Sequence, residues 1–181
     1  MANNATAEND CQRSETNEYK DYCFCSNFDG DGEIYSRDNK IVWRFQTTGL
    51  KQRSTKSKSF NKFPIFIFCD SDGKELLAIY REKRLPFARF KIVEKDLPVC
   101  TISQRSIFFT KYDFEFSNGL KWNLYLPMFS VFGKGASENG NEILVRVRAR
   151  RQWFVRIATG FDNPPMMAAL AYIIRKKEQC T

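Results

Sequence analysis

The most informative segment of the sequence is Asn163-Pro-Pro-Met-Met-Ala-Ala-Leu-Ala-Tyr-Ile-Ile-Arg-Lys-Lys177. Asp162 or Asn163 is suited to cap a helix, and Pro164 fits the first turn, where its missing N–H is not needed. Every residue from Met166 to Ile174 is apolar, so the predicted helix has no polar face and must be covered on all sides. The helix is also too short to cross a bilayer, which takes roughly 20 apolar residues.

The sequence before this helix consists of short strand patterns separated by turn signals, which together predict about a dozen β-strands. The predicted strands are Tyr22–Asn27, Glu33–Ser36, Lys40–Thr47, Phe63–Cys69, Glu75–Arg81, Pro86–Glu94, Val99–Arg105, Ile107–Phe116, Leu120–Leu126, Phe129–Phe132, Glu142–Arg150 and Gln152–Thr159. Residues Gly133–Asn141 are predicted to form a flexible loop. This spacing is typical of sandwiches and barrels. Because the helix must be enclosed, we predict a mainly β protein in which a closed antiparallel sheet surrounds a buried C-terminal helix.

The length of 181 residues is that of one domain with a tail. Residues 1–20 are polar, and we predict that they form a disordered tail ahead of a barrel domain at residues 21–181. The whole chain has a net charge of +8, but the segment Met1–Asp21 holds five acids and two bases, which leaves about +11 on the rest. The sequence shows no secretory signal pattern. The basic balance of the domain favours an anionic partner.

The chain contains no histidine, which excludes nucleophile pairs of the Ser-His and Cys-His type. We therefore predict a protein that is not an enzyme and that needs no cofactor. The six cysteines include no C-x-x-C pair and are expected to be reduced thiols in a cytoplasmic protein. Cys23 and Cys25 are interpreted as residues of a buried first strand, with lipid acylation as the alternative.

Two segments carry a resemblance to a known family. The segments are Ile65-Phe-Ile-Phe-Cys-Asp-Ser-Asp-Gly-Lys-Glu-Leu-Leu-Ala-Ile-Tyr-Arg81 and Phe90-Lys-Ile-Val-Glu-Lys-Asp-Leu-Pro-Val-Cys-Thr-Ile102. With the terminal apolar helix, they resemble the Tubby C-terminal-like superfamily, which includes phospholipid scramblases and LURP-one-related proteins. The resemblance extends over roughly Tyr22 to Lys177 and implies a closed barrel of about twelve strands around a hydrophobic helix. It also implies a function at membranes, since members bind phosphoinositides or are proposed to move lipids. The chain lacks the proline-rich N-terminal region and the dense cysteine cluster of scramblases.

The segment Asn27–Asp38 partly matches a calcium-binding loop. Its candidate ligands are Asn27, Asp29, Asp31 and Asp38, with glycine at the sixth position. The match departs from the pattern at both ends, with Asn27 in place of aspartate and Asp38 in place of the bidentate glutamate. A strand pattern follows the loop where a helix is expected. We therefore interpret Asp29-Gly-Asp-Gly32 as a turn between strands and expect no metal site.

Basic residues form two candidate anion-binding elements, a Ser/Thr-rich loop and one face of a strand. The candidates are Lys51, Arg53, Lys56 and Lys58 in the loop, and Arg146, Arg148 and Arg150, which alternate with apolar residues in the strand. Charge on the solvated outer face of a barrel explains any single one of them. Together they lead us to predict a non-catalytic cytoplasmic module that associates peripherally with anionic, phosphoinositide-type membranes. The alternatives are a protein-interaction scaffold, a scramblase-like lipid-handling protein and, with less support, a nucleic-acid-binding barrel. No small-molecule substrate is evident.

Overall fold

The computed structural model of the protein describes residues 18–48, 63–83, 86–106, 111–127, 130–149 and 151–179. These ranges contain twelve β-strands and one α-helix, which confirms the predicted mainly β class. The strands are β1 Tyr19–Ser26, β2 Gly32–Ser36, β3 Ile41–Thr47, β4 Phe66–Asp70, β5 Glu75–Lys83, β6 Arg89–Glu94, β7 Leu97–Gln104, β8 Lys111–Phe116, β9 Lys121–Tyr125, β10 Phe132–Ser137, β11 Glu142–Ala149 and β12 Gln152–Ala158, and the helix is α1 Pro164–Glu178.

The twelve strands form one closed barrel in which each strand is antiparallel to its neighbours in sequence. The first and last strands close the barrel, with a register that runs from Tyr19 opposite Ala158 to Cys25 opposite Gln152. Closure gives every strand a hydrogen-bonded neighbour on both sides, so the barrel has no free edge.

Helix α1 lies inside the barrel, as predicted. Its first turn is capped by the Asn163 side chain, whose Oδ1 accepts a hydrogen bond from the Met166 N–H at 3.0 Å. All residues from Met166 to Ile174 are buried. Tyr172 shows how the wall meets the helix, because its ring contacts Phe66 and Phe90 edge-on at centroid distances of 5.7 and 4.8 Å. Inward positions of the strands carry large apolar side chains, so the wall and the helix share one core.

The predicted flexible loop at Gly133–Asn141 is wrong over its first half, which belongs to β10. Gly133 and Gly135 are buried and occupy inward-facing positions of β10. A Cβ atom at Gly133 would lie 2.4 Å from Leu126 Cδ1, and one at Gly135 would lie 2.8 Å from the Asn123 carbonyl oxygen. The two glycines therefore let β10 pack closely against Leu126 and Asn123, and here they mark a strand and not a loop.

The first strand also differs from the prediction. It begins at Tyr19, so Tyr19 and Lys20, which were assigned to the tail, belong to the barrel. Pairing with β12 and an ion pair of 2.8 Å between Lys20 Nζ and Asp162 Oδ2 hold this end of the strand. The rest of the predicted disordered tail, residues 1–17, lies outside the described residues.

The two ends of the barrel differ. We call the end at which α1 begins the N-end, and the end at which α1 finishes the C-end. Connections at the N-end are two to five residues long, whereas those at the C-end have two to eighteen residues, the longest being 48–65. The C-end is closed partly by α1 itself, because Lys177 Nζ donates hydrogen bonds of 2.6 Å to the carbonyl oxygens of Pro127 and Ser130. Long connections are the parts of a barrel that carry binding functions.

Candidate functional site

Exposed apolar side chains are concentrated at the C-end. Of the eight large hydrophobic side chains that the described residues expose, six lie there: Phe28, Phe63, Phe87, Tyr125, Val131 and Phe132. The most exposed are Phe28, at 74%, and Val131, at 63%. The N-end has only Tyr19 and Leu97 in this set. A single exposed apolar residue is ordinary, but six at one end indicate a contact surface.

Two of the predicted arginines lie beside this surface. Arg146 and Arg148 are both exposed near the end of β11. In the sheet, Arg146 stands between two aromatic residues, Phe132 of β10 and Phe154 of β12. Neither arginine makes an ion pair with a described residue, in contrast to Arg156, which binds Asp21 through two hydrogen bonds. The positive charge of Arg146 and Arg148 is therefore available to an outside anion.

Buried polar atoms without hydrogen-bond partners also gather at the C-end. Five buried side-chain nitrogen and oxygen atoms of the described residues lack a partner, and four of them lie there: Arg81 Nε, Gln104 Oε1, Arg151 Nη1 and Arg175 Nε. Three of these four belong to arginines. Buried donors of a cation that remain unpartnered are costly, and they attract an anion or water.

One buried ion pair lies within the last turn of α1, and hydrogen bonds from the wall hold its carboxylate. Arg175 and Glu178 are each 7% exposed in their side chains, and Arg175 Nη1 lies 3.2 Å from Glu178 Oε2. The same carboxylate accepts hydrogen bonds from Ser26 Oγ at 2.6 Å and from Trp153 Nε1 at 2.9 Å. Gly30, at φ +98°, lies against the guanidinium, since a Cβ there would be 2.8 Å from Arg175 Nη2. We refer to Arg175, Glu178, Ser26 and Trp153 as the Glu178 cluster.

Two cations of the C-end share one aromatic ring. Lys176 Nζ lies 4.6 Å from the centroid of Phe90, and Arg81 Cζ lies 5.9 Å from it. Burial also lowers the pKa of Lys177, whose ammonium is held by two backbone carbonyls. These contacts show that the positive charge of the C-end is built into its packing and is not confined to solvated side chains.

The N-end has a carboxylate anchor. Asp162 Oδ2 accepts hydrogen bonds from the Tyr22 hydroxyl at 2.6 Å and from Lys20 Nζ at 2.8 Å. Burial raises the pKa of Asp162, but these two donors outweigh it and hold the pKa below its ordinary value. Burial and the neighbouring carboxylate raise the pKa of Tyr22. The anchor joins β1 to the residues that precede α1, so it stabilises barrel closure.

The other predicted anion-binding residues cannot be placed. Lys51, Arg53, Lys56 and Lys58, as well as Arg150, lie outside the described residues. The chain leaves the described part at Thr48 and returns at Phe63, both at the C-end. The grouping of these residues with Arg146 and Arg148 stays a prediction.

The calcium-loop candidates do not form one site. Asn27 and Asp31 lie at the C-end, whereas Asp38 lies beyond β2 at the N-end, about 17 Å away at the usual rise per strand residue. Asn27 Oδ1 accepts hydrogen bonds from the N–H groups of Gly30 and Asp31, and Asp31 Oδ1 accepts one from Thr47 N–H. The oxygens thus cap a turn, which confirms the interpretation of Asp29–Gly32 as a connection between strands. Within the described ranges, no three His, Cys, Asp or Glu side chains are grouped so that they could hold a metal ion.

The first strand places two thiols on the outside of the barrel. Cys23 and Cys25 are half-buried and face outward, so the prediction that they are buried is wrong. The reason is the alternation of β1, in which Tyr22 and Phe24 take the inward positions. The four cysteines of the described residues are free thiols.

Sequence reasoning missed several features of this end. Phe28, Phe87 and Val131 lie in connections between strands, although Phe87 and Val131 were predicted to lie within strands. Their shared position at the C-end depends on strand topology. The Arg175–Glu178 pair was also missed, although its i,i+3 spacing is a local signal, because the residues after Ile174 were interpreted only as cations at a helix terminus. No helix among the described segments has the length and apolar character needed to span a bilayer.

Comparison with solved structures supports the barrel fold. An X-ray structure of a protein from Arabidopsis thaliana, a LURP-one-related protein, is similar to this chain with a TM-score of 0.56. The match covers 90% of this chain and 93% of that one, at 8% sequence identity. At this identity the similarity shows the fold alone. No protein-family model and no curated protein sequence matches the chain.

Proposed function

We propose that the protein is a non-catalytic cytoplasmic module that binds the surface of anionic phospholipid membranes through the C-end of its barrel. One observation carries the proposal: exposed apolar side chains and arginines without carboxylate partners lie at the same end of the barrel. Apolar side chains can enter the acyl boundary of a bilayer while the neighbouring cations bind headgroup phosphates.

The energies of the two contributions are similar. Each cation close to an anionic leaflet contributes about 1 kcal/mol, so Arg146 and Arg148 together account for about 2 kcal/mol. Complete burial of a valine or leucine side chain contributes about 1.5–3 kcal/mol. Val131, which is 63% exposed, therefore adds about 1–2 kcal/mol if it enters the membrane. Several weak contacts of this kind, acting from one rigid barrel, are enough for peripheral association.

The filled interior favours surface binding over passage of lipid through the barrel. Helix α1 occupies the axis, and its residues Met166–Ile174 are buried against the wall. No lipid chain fits there unless the core is taken apart. The resemblance to a superfamily with membrane-associated members supports a lipid partner.

Vesicle co-sedimentation tests the contribution of charge. Vesicles of phosphatidylcholine with and without phosphatidylserine or a phosphoinositide are mixed with the full chain at low salt. The variant Arg146→Gln/Arg148→Gln should bind anionic vesicles about 30-fold more weakly, as about 2 kcal/mol implies. The matched control is Lys40→Gln/Lys74→Gln, which removes two exposed cations at the N-end and should leave binding unchanged. The difference should shrink as salt rises, because the Debye length falls below about 10 Å.

A second pair of variants tests the orientation. Val131→Ser removes an exposed apolar side chain at the C-end, and Leu97→Ser removes a similarly exposed one, at 68%, from the N-end. We expect Val131→Ser to weaken vesicle binding about 5- to 25-fold, with a loss that persists at high salt, and Leu97→Ser to have no effect. Equal effects of the two variants would contradict docking through the C-end. Stronger binding to an oligonucleotide than to vesicles at matched ionic strength would contradict the lipid proposal and identify nucleic acid as the anionic partner.

A further inference from the structure

Cys23 and Cys25 form a thiol pair on the outer wall of the barrel, in β1 near the C-end. They occupy alternate positions of β1, and their sulfur atoms are 3.7 Å apart. Both are partly accessible to solvent and neither is in a disulfide. In the reduced protein the contact is a weak S–H···S hydrogen bond, in which either thiol can be the donor.

The strand geometry disfavours a disulfide between them. In an extended strand the Cβ atoms of residues i and i+2 point the same way and lie about 6.6 Å apart, which is twice the usual rise per residue. A disulfide needs Cβ atoms about 3.5–4.5 Å apart. Pairing with β2 and β12 on either side holds β1 extended at these residues. The sulfur atoms therefore come together because the side chains lean toward each other, and the backbone does not bend to bring them closer.

The same geometry fits a metal ion. Two metal–sulfur bonds of about 2.3 Å, the Zn–S length, span sulfur separations from about 3.8 Å at a tetrahedral angle to about 4.6 Å when linear. The observed separation of 3.7 Å lies just below this range, and small side-chain rotations would lengthen it without backbone movement. The extended strand keeps the two Cβ atoms too far apart for a disulfide, but the two sulfur atoms can still reach one metal ion.

We infer that Cys23 and Cys25 are a bidentate site for a soft monovalent metal cation of the Cu(I) class. Soft thiolate donors select such ions. Structural zinc takes four protein ligands, and the described residues offer no group of three His, Cys, Asp or Glu around a common point. Cu(I), in contrast, is satisfied by two soft donors. On binding, each thiol releases its proton to solvent and forms one S–Cu bond, with no change of oxidation state.

The surroundings act on the charge of the complex in both directions. Burial, Cys23 and Glu33 raise the pKa of Cys25 to about 12, whereas Arg148 acts in the opposite direction, so the metal must displace the proton of the thiol. Two thiolates and one monovalent cation leave a single negative charge beside Arg148. Glu33, opposite Cys25 in β2, is paired with Tyr35 and Arg44. A surface groove of about 370 Å³ beside Cys25 leaves room for a third donor from a small thiol in solution.

Anaerobic titration with Cu(I) held by a chromophoric chelator tests the inference. The full chain carries Cys11→Ser and Cys180→Ser, so that the thiols outside the described residues do not compete. We expect one Cu(I) per chain, and an affinity at least tenfold lower in Cys23→Ser and in Cys25→Ser, because each variant destroys the chelate. The matched control is Cys69→Ala, which removes a buried thiol of β4 and should leave the affinity unchanged.

Other readouts separate the site from a structural or redox role. Both serine variants should keep the melting temperature of the parent, since the side chains lie on the outer wall. Cd²⁺, used as a probe, should produce a thiolate-to-metal ultraviolet absorption that either serine substitution at least halves. Equal Cu(I) affinity in the parent and the single variants would overturn the inference. So would ready formation of an intramolecular Cys23–Cys25 disulfide with peroxide, seen by mass spectrometry as the loss of two hydrogens.

Discussion

The buried ion pair of the Glu178 cluster offers a sharp test of the C-end. Glu178→Gln keeps the shape of the side chain, but it removes the negative charge and leaves one of the two oxygens that accept from Ser26 and Trp153. Arg175 then remains as a cation that is 6% exposed, without a described counter-ion. Breaking one side of a buried pair costs about 3–5 kcal/mol. For a domain of this size the melting temperature should fall by about 6–20 °C.

Urea unfolding followed by tryptophan fluorescence measures the loss, since Trp153 contacts the carboxylate directly. The double variant Arg175→Met/Glu178→Gln removes both charges and should recover at least about 2 kcal/mol of the loss. The control Arg105→Gln removes one partner of an exposed pair, in which Arg105 is 63% and Asp113 is 42% exposed, and should cost less than about 1 kcal/mol. A coupling between Arg175 and Glu178 below about 0.5 kcal/mol in the double-mutant cycle would show that the two charges do not stabilise each other.

Three further predictions concern the core and the N-end. Leu170→Asp should leave no folded protein in circular dichroism spectra, because an unpaired carboxylate inside the core costs several kcal/mol of a total of about 5–15 kcal/mol; a cooperative unfolding transition in this variant would contradict a buried α1. Gly133→Ala should lower the free energy of unfolding in urea by about 1–3 kcal/mol, since its Cβ would lie 2.4 Å from Leu126 Cδ1. An unchanged urea midpoint would show that Leu126 and its neighbours shift to accommodate the added methyl group. Asp162 has a lowered pKa in the folded state, so its contribution is present above the unfolded pKa of about 3.9 and is lost as pH falls below it. The stability difference between the parent and Asp162→Asn should therefore shrink from pH 6 to pH 3, and a constant difference would exclude this linkage.

The sequence was most informative where apolar periodicity is unbroken. The run Met166–Ile174 predicted an enclosed helix because no other environment covers all of its faces. Eleven of the twelve strands followed from alternation and turn residues, whereas the predicted strand Phe129–Phe132 overlaps β10 only at Phe132. The segment around Gly133 was misassigned because glycine is favoured both in loops and where two pieces of backbone approach closely. Only the packing of Leu126 against it distinguishes the two.

The candidate site was much less predictable than the fold. Alternation along β11 predicted that Arg146 and Arg148 share one face, and both are exposed, although the register between β11 and β12 shifts between Val147 and Ala149. It could not show that Phe132 lies beside Arg146, since that neighbour is set by the register between β10 and β11. The Glu178 cluster joins residues more than 150 positions apart, such as Ser26 and Glu178. Contacts of this kind depend on barrel closure and leave no local signal.

Closure of the barrel by β1 and β12 has a consequence for synthesis. Strand β1 pairs with β2 and β12, and β12 becomes available only after residue 158 has left the ribosome, more than 130 residues after β1. Helix α1, which fills the barrel, follows all twelve strands in the order of translation. Until then the inward apolar faces of the growing sheet have nothing to pack against, and both of its edges can pair with other chains. The nascent chain should therefore depend on chaperones until the helix is complete, and the non-local pairing should make folding slow.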